Sequence, residues 1–197
     1  MNIIQHYDKL IDDENDPFRD PQILQDHMDK WDGQLFVDSM LLDKTKRVLE
    51  IGVGTGRLAK KVAPNCLGFT GIDISPKTIE RAKENLCYLD NITLICADFL
   101  DYRFEQTFDV VYSSLTLMHF ENKQRFFSKT DSLLKSSGLF CLSIDKNQDR
   151  FIDMGDHKIR VFPDTLENTF DLLKSTRLYV EKITEKEFAH LMVLKKH

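Results

Sequence analysis

The sequence predicts an α/β protein: a doubly wound, mostly parallel seven-stranded sheet with an antiparallel hairpin at its C-terminal end and a helical cap at its N-terminal end. Three observations lead there. From residue 46 onward, short β-branched or aromatic runs alternate with longer stretches of helical period, which is the pattern of a parallel sheet with crossover helices. A glycine-rich turn closes the first of these runs. The last two runs are separated only by residues 184–187, too few for a helical crossover, so they pair as a hairpin. With 197 residues the chain suits one core. Residues 1–45 are read as the cap and 46–197 as the main part of the same domain.

The elements follow in order. Ile3, Ile4, Tyr7, Leu10 and Ile11 face one way on a short helix that ends in the acidic run Asp12, Asp13, Glu14 and Asp16. Pro17 and Pro21 break the chain, and a second helix is expected over 22–42, with Leu24, Met28, Trp31 and Leu35 at helical spacing. Strands are expected over 47–51, 67–72, 92–97, 108–113 and 138–144, as nearly continuous apolar runs of the kind covered on both faces. Between the second and third, Ser75 suits an N-cap, Pro76 the first helical position, and Ile79, Ala82 and Leu86 an apolar stripe. A helix over 122–136 places Phe126, Phe127, Leu133 and Leu134 on one side and stops at Gly138. After an irregular stretch over 147–163, Asp164 with Glu167 resembles a capping box. Leu166, Phe170 and Leu173 then form a helical stripe, and the hairpin strands fall at 178–183 and 188–194.

Composition narrows the function classes. With 42% hydrophobic residues and a net charge of -5, the chain is too apolar and too weakly charged for disorder. It contains no apolar run of membrane-spanning length. The first residues lack a basic segment followed by a long apolar one, so a cytoplasmic location is expected. The mildly acidic balance disfavours nucleic acid as the main partner. Cys66, Cys87, Cys96 and Cys141 form no CxxC pair and no zinc spacing; Cys96 and Cys141, inside apolar runs, are read as small hydrophobes. No metal site is expected. A monomer or homodimer is.

The most informative segment is RVLEIGVGTGRLA, residues 47–59. An apolar strand runs into Gly52, Gly54 and Gly56 and then toward a helix start, so backbone without side chains sits at the mouth of a parallel sheet, where a ligand can approach closely. The spacing is GxGxG. A dinucleotide fingerprint needs a glycine at position 57, and Arg57 stands there. Three successive strands end in acids: Glu50, Asp73 and Asp98. Asp73 sits where a carboxylate can accept from both hydroxyls of an adenosine ribose. Asp98 is placed to accept from an adenine amine, with Ile74 or Phe99 flanking the ring. The three acids and the glycine loop point to a binding site at the carboxyl ends of the strands.

At these residues the sequence resembles the class I S-adenosylmethionine-dependent methyltransferases. VLEIGVGTGRLA resembles their first motif, GIDIS their acidic loop after the second strand, ADF their adenine-contacting acid and FDVVYSSLTLMHF their fourth motif. The resemblance implies a Rossmann-like fold with S-adenosyl-L-methionine as cofactor and S-adenosyl-L-homocysteine as product. It also implies that Glu50 and the Gly52 to Gly56 backbone hold the methionine part, Asp73 the ribose, and Asp98 with Phe99 the adenine. Ser113, Ser114 and Leu115 would then line the pocket near the sulfonium.

A sulfonium donor carries its own activation, so the protein chiefly aligns the nucleophile and excludes water; a base is optional. His119 and Asp145 are the candidate bases, one after the fourth strand and one at the end of the fifth. His119 is read more readily as a packed histidine or a helix start than as a base, and Asp145 equally well as a turn cap. Tyr7, His27, Met28 and Trp31 are either a lid or ordinary packing. His157 and Arg160 lie in the irregular stretch, where an insertion can shape an acceptor pocket. No Asn/Asp-Pro-Pro-aromatic tetrapeptide stands at residues 113–116, which disfavours the family's amino-nucleobase chemistry, and Asp145 is the one plausible metal-ligating oxygen. A small-molecule methyl acceptor is the expectation; a protein or RNA methyltransferase and a non-catalytic adenosyl-ligand binding module are the alternatives.

Overall fold

The computed structural model describes residues Met1–His197. Seven strands form one sheet: β1 (Arg47–Ile51), β2 (Gly68–Asp73), β3 (Ile92–Cys96), β4 (Phe108–Ser114), β5 (Leu134–Asp145), β8 (Leu178–Glu185) and β9 (Ala189–Lys196). Their order is β3-β2-β1-β4-β5-β9-β8. The first five are parallel, and β9 runs antiparallel to both β5 and β8. This is the Rossmann-like arrangement with a terminal hairpin that the short 184–187 connector predicts. Strand order reverses between β1 and β4, and the crevice outside their carboxyl ends is where open α/β sheets take ligands.

Alternation along the strands divides the core in two. Val48 and Val110 belong to one buried cluster with Phe36, Met40 and Tyr112, whereas Leu49 and Val111 belong to the other with Phe99, Phe126, Phe127 and Phe140. The sheet is therefore covered on both faces at its centre. Its edge is not: Thr93 and Cys96 on β3 are exposed. Cys96 is thus a surface thiol, a correction to its reading as a buried hydrophobe, which holds for Cys141.

The helices are α1 (Ile3–Asp12), α2 (Gln22–Met28), α3 (Gly33–Asp38), α4 (Ala59–Val62), α5 (Pro76–Asn85), α6 (Lys123–Leu133) and α7 (Leu166–Leu173). As predicted, Ser75 caps α5, its hydroxyl accepting from Thr78 N. Four local expectations change. The helix expected over 22–42 is two helices, because Asp32 leaves helical geometry to cap α3 and Gly33 takes φ +71°, the left-handed region. The helix after the glycine loop has only four residues and starts at Ala59, so its dipole is weak. Leu134, expected on the α6 stripe, opens β5; the irregular register between Phe108–Leu134 and Val110–Leu139 absorbs Ser137, at φ +62°, and Gly138. Thr165, not Asp164, caps α7, and Asp164 is buried against Lys123. Within the stretch over 147–163 lies a small hairpin, β6 (Phe151–Asp153) with β7 (Lys158–Arg160), which pairs with no strand of the main sheet. No helix is long and apolar enough to cross a membrane.

The acidic N-terminal run docks the cap. Asp8 accepts from the Ser75 hydroxyl at 2.7 Å and from Lys77 N at 3.2 Å, Asp12 pairs with Lys77 at 2.6 Å, and buried Asp16 meets Arg81 at 3.3 Å and Asn85 Nδ2 at 3.1 Å. Carboxylates four residues apart thus run along α5, Asp8 and Asp12 at its first turn and Asp16 at Arg81 and Asn85 farther on. On the other face, Phe126 sits among Phe120, Phe99 and Phe127 at ring separations of 4.8, 5.4 and 5.6 Å. Phe126→Ala is expected to lower the unfolding free energy by about 3–5 kcal/mol, measured by urea denaturation; a loss below about 1 kcal/mol would contradict this packing.

Candidate functional site

The carboxyl ends of β1, β2 and β4 border a cavity of about 300 Å³. Glu50 is its floor. The carboxylate is buried, at 3% exposure, and Tyr112, its register partner on β4, donates to Oε2 at 2.7 Å. Burial pushes the Glu50 carboxyl well above its usual range, opposed by the Tyr112 hydrogen bond and the nearby Arg57 charge.

The glycine loop wraps over this floor. Gly52 is at φ +79°, and a Cβ there would run into the side chain of Thr116. Gly54 N donates to Asp73 Oδ2 at 3.0 Å, and Ser75 N donates to Asp73 Oδ1 at 3.1 Å, so the acid at the end of β2 closes the loop. Burial raises the Asp73 carboxyl against these hydrogen bonds. Gly56, at φ +95°, is required by the packing of Leu86 and does not line the cavity. Arg57 does, and its guanidinium pairs with buried Asp32 and, at 3.5 Å, with Asp29.

Beyond β2 and β3 the cavity wall continues through Ile74, Asp98 and Phe99. Asp98 Oδ1 accepts from Leu100 N at 2.7 Å, a turn contact that leaves its second oxygen without a protein partner. At the end of β4 the pleat separates the two serines. Ser114 lines the cavity and donates to Asp32 at 2.7 Å; Ser113 faces inward, donates to Ile51 O at 3.0 Å and does not line it, which corrects its assignment as a pocket residue. Leu115, at φ +55°, borders both this cavity and a second recess of about 100 Å³. Left-handed backbone at a branched aliphatic residue is a strained conformation.

The cap covers the opening. Ile3, Tyr7 and Met28 line the cavity, whereas His27 and Trp31 pack against Phe188 at ring separations of 5.9 and 4.6 Å. Of the four residues weighed as a lid, two therefore reach the site. His119 lines it as well, with Nε2 at 2.7 Å from the Tyr7 hydroxyl. Asp145 lies on the smaller recess, with Asp149, Phe151 and Val161. His157 Nε2 meets His6 Nδ1 at 2.9 Å and joins the small hairpin to α1, while Arg160 lies over the Phe162 ring at 4.8 Å. The sequence reading missed Asp32, Tyr112 and Thr116. Asp32-Gly33 is a turn signal lying inside an otherwise helical period, and it was the one local clue.

Residues 49–142 match the family described as a methyltransferase domain. The chain is 31% identical over 124 residues to malonyl-[acyl-carrier protein] O-methyltransferase 2 of Ilyobacter polytropus, covering 61% of this chain and 46% of that one. It is 30% identical over 115 residues to ubiquinone biosynthesis O-methyltransferase of Coxiella burnetii, covering 57% and 49%. The chain spans about half the length of the curated relatives it matches. Among solved structures, the N-methyltransferase NodS from Bradyrhizobium japonicum, in complex with S-adenosyl-L-homocysteine, superposes with a TM-score of 0.67 over 82% of this chain and 84% of that one, at 19% identity.

His119 gives the site a pH signature. Burial pushes its imidazole from 6.5 down to about 4. As pH falls below 6.5 the unfolded chain takes a proton that the folded ring refuses, so this contribution is present above that pH and is lost toward pH 4. Glu50 and Asp73, raised, act in the opposite sense, and comparison with a variant cancels them. The stability advantage of the wild type over His119→Gln is expected to shrink by up to about 3 kcal/mol from neutral pH to about pH 4, read from urea denaturation at each pH. An advantage that does not change with pH would contradict the buried neutral ring.

Proposed function

This chain is built around a class I S-adenosylmethionine-dependent methyltransferase domain, and from that premise we propose that it moves a methyl group from S-adenosylmethionine to a small-molecule acceptor by in-line displacement. The observation that carries the reading is the convergence of Glu50, the Gly52 to Gly54 backbone, Asp73 and Asp98 on a single cavity at the strand-order reversal. The cofactor supplies an activated methyl on a positively charged sulfur.

The chain's own residues bind, orient and exclude water. Glu50 faces the cavity as a buried acid with a raised pKa, and a cationic amino group beside it favours its ionised form. The loop backbone at Gly52 and Gly54 lets the methionine part come close without side chains between. Asp73, already holding Gly54 N, accepts from the ribose hydroxyls. Asp98 takes the adenine amine with Ile74 and Phe99 beside the ring, and Ser114 and Leu115 border the sulfur. Tyr7, Met28 and Ile3 close the opening and keep water from the methyl.

The acceptor enters between the cap and the loops after β4 and β5, where His119 and Asp145 are the titratable candidates. That two of the curated relatives are named as O-methyltransferases supports the reaction type, and Ser113 to Thr116, in place of an Asn/Asp-Pro-Pro-aromatic tetrapeptide, supports an acceptor other than a nucleobase amine. The reading includes a cytoplasmic location, for which four unpaired cysteines are the support, and a monomeric or homodimeric protein. Titration calorimetry is the test. S-Adenosylhomocysteine is expected to bind, with Asp73→Ala at least about tenfold weaker and Gly52→Ala, whose Cβ would meet Thr116, weaker still. Failure of both cofactor forms to bind would overturn the reading.

A further inference from the structure

Glu50 meets the cavity with one oxygen already taken. Glu50 and Tyr112 are register partners on the neighbouring strands β1 and β4, and the pleat turns both to the face that holds Val48 and Val110. The Tyr112 hydroxyl donates to Oε2 at 2.7 Å. The second oxygen, Oε1, has no hydrogen-bond partner in the protein, yet it is not among the enclosed orphan atoms of the structure, of which His119 Nδ1 is one. Oε1 therefore keeps accessible surface, and the space it meets is the cavity that Glu50 lines.

Tyr112 can hold that orientation because packing leaves it little freedom of its own. Its side chain is fully buried, with Phe36 and Phe69 at ring separations of 6.1 and 6.5 Å, so the place of the hydroxyl is fixed. Burial and the Glu50 charge both raise the phenol's pKa, which keeps it protonated and a donor. An untethered glutamate searches several rotamers; with Oε2 held, the planar carboxylate presents Oε1 in one direction. Nothing in the protein pairs with Oε1. Arg57, whose charge acts on Glu50, directs its guanidinium to Asp32 and Asp29. A buried carboxylate oxygen without a partner is costly, so the space in front of Oε1 suits a cation.

Resting on the methyl-transfer reading above, we propose that Tyr112 is a positioning residue for the cofactor: it fixes Glu50 so that Oε1 receives the ammonium group of the methionine part, and thereby sets the preference for a ligand that carries that group. Tyr112 does not line the cavity, so its effect passes through Glu50. Its hydrogen bond also favours the ionised carboxylate, the form that pairs with an ammonium group. Without the hydroxyl, Glu50 loses both its fixed direction and part of what keeps it charged.

The test is titration calorimetry on the full chain with S-adenosylhomocysteine and, separately, with its desamino analogue, in which hydrogen replaces the amino group. The wild type is expected to prefer S-adenosylhomocysteine by about tenfold or more; absence of that preference overturns the proposal without any variant. Tyr112→Phe keeps the ring against Phe36 and Phe69 and removes the hydroxyl. It is expected to bind S-adenosylhomocysteine about tenfold more weakly than the wild type and the desamino analogue within about twofold of it. In a Glu50→Gln background, where no carboxylate is left to orient, Tyr112→Phe is expected to change S-adenosylhomocysteine affinity by no more than about twofold. A merely structural role would weaken both ligands alike. Equal weakening, an unchanged affinity for S-adenosylhomocysteine, or a tenfold loss that persists in Glu50→Gln overturns the proposal and leaves the methyl-transfer reading standing. Failure of that reading shows differently, as a wild type that binds neither ligand, and the proposal then falls with it.

Discussion

A guanidinium cannot lose its proton inside a protein, so wherever one is enclosed the surroundings must be arranged to meet it. Arg57 is enclosed: its side chain is 11% exposed, and its partner Asp32 is 0% exposed. Removing either member of such a pair leaves a buried charge uncompensated, at a cost of about 3–5 kcal/mol. The same Asp32 carboxylate also accepts from Ser114 Oγ and from Gly33 N. One acid thereby joins the residue after the glycine loop, the end of β4 and the start of α3. The break between α2 and α3, the seat of the cap and the wall of the cavity all depend on that junction.

Much of the site was readable because its signals are local. Glu50, Asp73 and Asp98 each end an apolar run, and Gly52 and Gly54 follow one. What escaped depends on pairing across long separations. Asp32 meets Arg57 over 25 residues and Ser114 over 82, and Tyr112 meets Glu50 over 62. None of these distances leaves a mark in hydrophobic period. The helix over 22–42 failed for the same reason, since its period is sound and its interruption serves a residue elsewhere. Ser113 failed for a local reason: its hydroxyl turns inward to Ile51 O, whereas Ser114 reaches Asp32 at the cavity wall.

The acidic excess of the chain is also distributed in a way that net charge conceals. Glu50 and Asp73 are held at raised pKa inside the site, where a cationic ligand would be welcome. Asp8, Asp12 and Asp16 are used on α5, away from any ligand, to seat the cap. The two sets act at different depths. Ion pairs on the exposed side, such as Asp12 with Lys77, are screened by salt and contribute little each, whereas the buried carboxylates respond to what enters the cavity.

The small hairpin β6–β7 hydrogen-bonds within itself and stands outside the main sheet. It is fastened through Phe162 N to Met118 O at 2.7 Å, through the Lys123–Asp164 pair, and through His157 to His6. None of those fastenings involves the glycine loop or the acids that end β1 to β3. The hairpin can therefore be lengthened, shortened or replaced while the glycine loop and the acids that end β1 to β3 keep their geometry. The recess that the hairpin borders is then free to change shape on its own, apart from the cavity at the strand-order reversal.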